Sequence, residues 1–377
     1  MLRVTAFLLV ICSALDACAC NIPVFRYALE RWQADQLQLI VLHSQDLTAV
    51  QQQVIQEISA RSLAAGGTVN MQVQSLDVRH PVPERFRHLQ LPAAAAISEP
   101  TTWLLARMPQ GEERIIWSGS LEDAQSETVY SSPARMELAK RLLSGQASVW
   151  LMLSGSDTAE TDRQELRLKD MLAQLSEEIP FPDGIGLEGS ELYSSIPLTM
   201  DFSVLRISRN DAGEQFLWDL VRHVSPERFE SGRTLVLPVF GRGRVLEILS
   251  ADKLDDESIQ DLCFFLSGAC SCQVKEQNPG FDLLMATDWE ETLFLGGESP
   301  PDTGLLRQRQ PVETGKSPEL VPIAPGKSPA PTETESKPRE ESGEQAAPVK
   351  VSGGFPLWWS ALGLLIVASL LAVVSRT

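Results

Sequence analysis

Apolar positions along the chain fall into short runs of two periods, and the periods alternate. Pro23–Trp32 has helical spacing, and Leu37-Gln-Leu-Ile-Val-Leu42 is an apolar run of strand length. Helical spacing returns over Leu47–Ser62, closed by Gly66-Gly67, and an alternating strand follows at Met71–Val78. Pro100–Arg107 and Arg114–Gly119 read as strands joined by a Pro-Gln-Gly-Glu turn, and a helix over Ser132–Leu143 ends on Ser144-Gly145. The order is strand, helix, strand, then a hairpin and a helix.

The second half repeats this order. Ser148–Leu153 reads as a strand, Glu160–Glu177 as an amphipathic helix, Phe202–Ser208 as a strand and Gly213–His223 as a helix. Thr234–Phe240 and Arg244–Leu249 form a hairpin across Gly241-Arg-Gly243, and a helix over Glu257–Leu266 ends on Ser267-Gly268. Leu143-Ser-Gly145 and Leu266-Ser-Gly268 close the halves alike, which points to a duplicated α/β unit.

This layout resembles the thioredoxin fold. The resemblance implies two tandem βαβ–ββα domains, over residues 20–146 and 147–296, with Pro100 and Pro238 where that family places its cis-proline. Neither half has Cys-x-x-Cys at the start of its first helix, so the family's redox chemistry does not carry over. Cys20-Asn-Ile-Pro-Val-Phe-Arg-Tyr-Ala-Leu-Glu-Arg-Trp32 and Cys270-Ser-Cys-Gln-Val-Lys-Glu-Gln-Asn-Pro-Gly280 also resemble segments of an uncharacterised family of exported, membrane-anchored bacterial proteins.

The two ends address the chain to a membrane. Met1-Leu2-Arg3, the apolar run Val4–Leu15 and the small residues Ala17 and Ala19 have the order of a secretory signal peptide over residues 1–19. Cleavage after Ala19 leaves Cys20 first. The competing reading takes Leu15-Asp16-Ala17-Cys18 as a lipobox with Cys18 lipidated. Residues 355–374 are uncharged and apolar, with Trp358 and Trp359 at one end and Arg376 beyond the other. Twenty such residues match a hydrocarbon layer of about 30 Å, which predicts a single transmembrane helix. The tail 375–377 is then cytoplasmic and the bulk of the chain periplasmic. A processed C-terminal sorting tail after Gly353-Gly354 is the alternative. Residues 297–354, rich in Pro, Glu, Ser, Thr and Lys with Gly-Lys-Ser-Pro at 315–318 and 326–329, read as a disordered tether.

Composition narrows the function classes. The 377 residues carry 50 acidic and 32 basic side chains, a formal charge of −18 that opposes a phosphate backbone and argues against nucleic-acid binding. Cys18 and Cys20 form one Cys-x-Cys pair and Cys270 and Cys272 another. In an oxidising compartment they read first as disulfide staples, for example Cys20 to Cys270 or Cys272, with Cys263 a buried core thiol. Soft thiolates on Cys270 and Cys272 could alternatively hold Cu(I), or exchange disulfides with Lys275 lowering a thiol pKa. The histidines His43, His80, His88 and His223 lack metal-ligand spacing, and no serine-hydrolase elbow or zinc-protease motif occurs. Gly241-Arg-Gly243-Arg244 reads as a hairpin turn whose arginines could meet an anion, and Asp288-Trp-Glu-Glu291 as solvated surface. The leading expectation is a membrane-tethered binding or assembly module without catalysis or cofactor, with an unidentified protein partner. The alternative is a thiol-based redox or copper-handling factor.

Overall fold

A computed structural model describes residues 21–109, 111–270 and 274–295. The signal peptide, the tether and the 355–374 span, with Cys18, Cys20 and Cys272, lie outside the described residues. Among the described residues no helix is long and apolar enough to cross a membrane.

The architecture is mixed α/β with two mixed sheets. The first sheet has the order β2-β1-β3-β4, built from β1 (Leu37–His43), β2 (Met71–Asp77), β3 (Thr101–Arg107) and β4 (Glu113–Ser120). β1 and β2 are parallel, with Leu37 opposite Met71, while β1–β3 and β3–β4 are antiparallel. Between β1 and β2 runs α2 (Ala49–Ala60), started by a capping box in which Thr48 and Gln51 bond each other's backbone.

In the second sheet β5 (Ser148–Leu153) is parallel to β6 (Phe202–Ile207) and antiparallel to β7 (Leu235–Phe240). β7 pairs with β8 (Arg244–Val245) at one end and β9 (Leu249–Ser250) at the other, and β10 (Phe281–Asp282) adds to β8. The first four strands of each sheet therefore pair with the same relative directions. β5 and β7 are buried along their whole length, as their unbroken apolar runs require.

Helices do not stay with their own half of the sequence. α1 (Val24–Arg31) joins a core with Trp150, Leu168, Phe240 and Cys263 of the second half, against α5 (Thr158–Glu178) and α8 (Asp256–Ser267). A second core cluster runs from Leu39 and Leu104 of the first sheet through Leu217 and Val221 of α6 (Gln215–Val224) to Leu237 of the second. The connection over residues 78–100 supplies Phe86 and Ile97, which cover Ile40, Leu42 and Leu105 on the first sheet's other face. Residues 281–294 return to the first half, where Val69 and Ala286 form an isolated bridge. Leu283, Met285 and, from α9 (Trp289–Phe294), Leu293 enter the shared cluster. α3 (Glu127–Tyr130), α4 (Pro133–Leu143) and α7 (Pro226–Glu230) complete the elements.

The cis-proline expectation is corrected: the peptide bonds before Pro100 and Pro238 are trans. Both prolines continue a ladder that needs the 3.8 Å trans spacing of Cα atoms. Pro238 stands opposite Trp150 inside β7 and its carbonyl accepts the Leu246 N–H at 2.8 Å, and Pro100 accepts the Leu121 N–H. The strand expected over Arg244–Leu249 is two short strands. The Leu246 N–H still bonds Pro238 in the β8 register, and the pairing with β7 shifts by one residue before Leu249.

Candidate functional site

The thiol positions come first. Cys263 is fully buried on α8, and burial pushes its thiol up to about 12, so it stays protonated and inert at neutral pH. Cys270 is also buried, and its N–H donates to the Ile22 carbonyl at 2.9 Å. With the antiparallel bridge Pro23–Ala269 and the Val24 N–H to Gly268 bond, this lays residues 22–24 along residues 268–270. The described flanks of the two Cys-x-Cys segments are thus side by side, although they come from opposite ends of the folded region.

Lys275 does not serve these thiols as a free cation. Its ammonium donates to the Gln33 carbonyl at 2.6 Å, to Asp35 at 3.1 Å and to Asp282 at 2.5 Å. Arg244 reaches the other oxygen of Asp282 at 2.9 Å and the carbonyls of Asn278 and Pro279. Burial raises the Asp35 carboxyl, and neighbouring Asp282 adds to the rise. Burial would raise Asp282 too, but Lys275 and Arg244 outweigh it and hold Asp282 below the usual carboxylate range.

The arginines of the hairpin turn at Gly241–Gly243 are buried and engaged within the fold, not presented to an anion. Arg242 donates to the Leu29 and Glu30 carbonyls at the end of α1, to Gln33 at 2.9 Å and to Glu290 at 2.5 Å. Carbonyls at a helix end lack intrahelical donors, so the guanidinium caps α1 from the opposite hairpin. The acidic stretch at 288–291 is likewise structural: Asp288 caps α9 through the Glu291 N–H, and Trp289 is buried.

Two buried charge clusters gave no sequence signal, because their members sit inside amphipathic helices like ordinary surface charges. Arg26 bonds Glu30 at 2.9 Å and the carbonyls of Ser194 and Ile196, while Glu30 accepts the Tyr193 and Ser194 N–H groups. Arg135 donates to Val129, Thr128 and Leu284 carbonyls and lies over the Phe216 ring. Burial lowers its pKa to about 9, and Glu214 opposes that shift.

Among the described residues a polar cleft and a smaller pocket are open to solvent. The cleft, about 880 Å³, lies between α7, β9 and α8. Arg228, Lys253, Glu247 and Asp261 line it together with Leu254 and Leu262. The smaller pocket, about 270 Å³, is at the C-terminal ends of the parallel strands β5 and β6, where open α/β sheets commonly bind ligands. Ser154, Ser156 and Ser208 line it together with Arg206 and Arg209. Arg206 is already paired with Asp162 at 2.5 Å and Glu165 at 2.9 Å. The β5–α5 junction has Ser-Gly-Ser-Asp and the β1–α2 junction His-Ser-Gln-Asp, so neither offers a thiol. Among the described residues no group of three or more His, Cys, Asp and Glu side chains could hold a metal ion. No protein-family profile, no curated protein and no solved structure matches the chain.

Proposed function

We propose that the chain is a membrane-tethered extracytoplasmic binding or assembly module, built from two thioredoxin-like halves that have kept the scaffold without its redox motif. Support for the scaffold is the repeated pairing of four strands, in which the first is parallel to the second and antiparallel to the third. The observation that carries the binding reading is the open cleft of about 880 Å³ beside β9. Its walls carry both signs of charge over leucines, a composition suited to a protein segment and not to a buried small molecule.

The test is affinity capture from native membranes with the full-length chain and with an Arg228→Glu, Lys253→Glu double variant. A partner recovered reproducibly by the wild type and lost from the variant is the expected result. Equal recovery by both would remove the cleft from the reading, and no reproducible partner would remove the reading itself.

The thiol alternative has one observation in its favour, the Pro23–Ala269 bridge that draws the two cysteine segments' flanks together. That arrangement suits a staple joining the start of the folded region to its end. A staple of this kind stabilises by about 2–5 kcal/mol.

A further inference from the structure

A serine and a histidine meet at the edge of the first sheet, far apart in sequence and outside both openings. Ser118 Oγ of β4 lies 3.3 Å from His223 Nε2 of α6, a contact across 105 positions. His223 Nδ1 is 2.7 Å from the Asp219 carbonyl oxygen. A carbonyl only accepts, so Nδ1 donates to it, and in the neutral tautomer this leaves the Nε2 lone pair toward Ser118. The Asp219 carboxylate is paired with Arg222, which leaves the backbone carbonyl as the group that orients the imidazole.

The ladder adds a third part. The Leu121 N–H donates to Pro100, so in the continuing register the hydrogen-bonded pairs are Thr102 with Gly119 and Leu104 with Trp117. Trp103 and Ser118 form the non-bonded pair between them, so the Ser118 N–H points off the outer edge of β4, away from β3. Neighbouring Ser120 follows the same rule, its N–H bonding Asp123 and not β3. A β-bulge sits just before, where the register shifts between Leu104 and Leu105. Ser118 itself is exposed, His223 is half-buried, and the half-buried Trp103 shares the serine's face of the pair.

We propose that Ser118 and His223 are a nucleophile–base pair that accepts acyl groups from uncharged carboxylic esters, with Trp103 as the apolar wall beside the reacting oxygen. Ser118 Oγ bonds to the ester carbonyl carbon while His223 Nε2 takes its proton. The Ser118 N–H, which the β3 ladder does not use, can donate to the developing oxyanion. The ester C–O bond then breaks, His223 returns the proton to the departing alkoxide, and water hydrolyses the acyl-serine to carboxylic acid. The pair lies within the reach seen for such dyads before substrate binds. This activity is separate from the cleft beside β9 and does not depend on it.

The test uses a fluorophosphonate, which forms an O–P bond at an activated serine and releases fluoride. Full-length protein in detergent is incubated with the probe and mapped by peptide mass, alongside Ser118→Ala and His223→Gln variants whose folding is checked by thermal melting. The expected result is one phosphonyl group on Ser118, none at that peptide in Ser118→Ala, and labelling at least about tenfold slower in His223→Gln. The wild-type rate should fall with acidification, and His223→Gln should flatten that profile. No adduct on Ser118, or equal rates and profiles in wild type and His223→Gln, would overturn the proposal.

Discussion

Asn70 and Met285 are joined across the whole fold. The Asn70 side-chain oxygen accepts the Met285 N–H at 2.7 Å, and its amide nitrogen donates to the carbonyls of Leu283 and Asp35. One buried amide just ahead of β2 therefore holds the C-terminal segment against the first sheet.

Replacing Asn70 with Ala leaves three backbone groups without this partner in a site nearly closed to water. The expected loss is about 1–3 kcal/mol for each group left unsatisfied, less whatever water recovers. Denaturant unfolding measures it. Hydrogen exchange should show residues 283–286 opening before the β5–β7 centre, and uniform loosening would contradict the strap reading.

Glu214, just ahead of α6, accepts from Ser132 Oγ at 2.6 Å and the Ala134 N–H at 2.7 Å at the start of α4, and its charge opposes the burial-driven fall of the Arg135 pKa. Glu214→Ala should cost about 3–5 kcal/mol, since it leaves the buried Arg135 charge uncompensated. In the Arg135→Met, Glu214→Ala double variant much of that loss should return. Additive losses in the double-mutant cycle would show that the two residues act independently.

Acid should weaken the Lys275–Asp35–Asp282–Arg244 cluster through Asp282. Its folded pKa is depressed, so its contribution is complete above the unfolded value of about 4 and is lost as pH falls through the folded value. Asp35 acts in the opposite sense: its raised folded pKa gives a contribution that is lost as pH rises above about 4 toward the folded value. The difference in melting temperature between wild type and Asp282→Asn should therefore shrink as pH falls below about 4. A constant difference across that range would assign the loss to packing alone.

The thiols should separate by reactivity. Cys263 is expected to resist alkylation in the native protein and to react once the chain is unfolded, given its burial and raised pKa. For the remaining cysteines, the Pro23–Ala269 bridge and the Cys270 N–H bond to Ile22 bring the flanks of the two Cys-x-Cys segments together. Peptide mapping of the oxidised protein should then recover Cys20 linked to Cys270 or Cys272. Recovery of no link between the two segments would contradict the staple.

Much of the fold was legible from periodicity alone. The strand Ser148–Leu153 is buried on both faces and reads as an unbroken apolar run, and the long helix over 158–178 shows its buried Leu168, Leu172 and Leu175 at helical spacing. The repeated order of elements was equally visible, because it depends on local runs and on turn residues such as Gly145 and Gly241. The hairpin at 244–249 was less legible. Its two short strands are separated by a one-residue shift in their register against β7 that no period encodes.

The candidate sites were legible only in part. Sequence singled out the Cys-x-Cys pairs, since cysteine stands out by type, and the arginines of the 241–244 turn, but it gave no sign that Arg26, Arg135 and Asp282 would be buried. Side-chain type and spacing are local properties, and they determined most of the elements and carried the expectations of a duplicated unit and of two membrane-directed ends. Which charges would be buried, that α1 would cross to the second sheet, and that Ser118 would meet His223 were decided by tertiary packing. A buried guanidinium needs carbonyls from several segments at once, and only the folded chain brings Leu29, Glu30, Gln33 and Glu290 around Arg242.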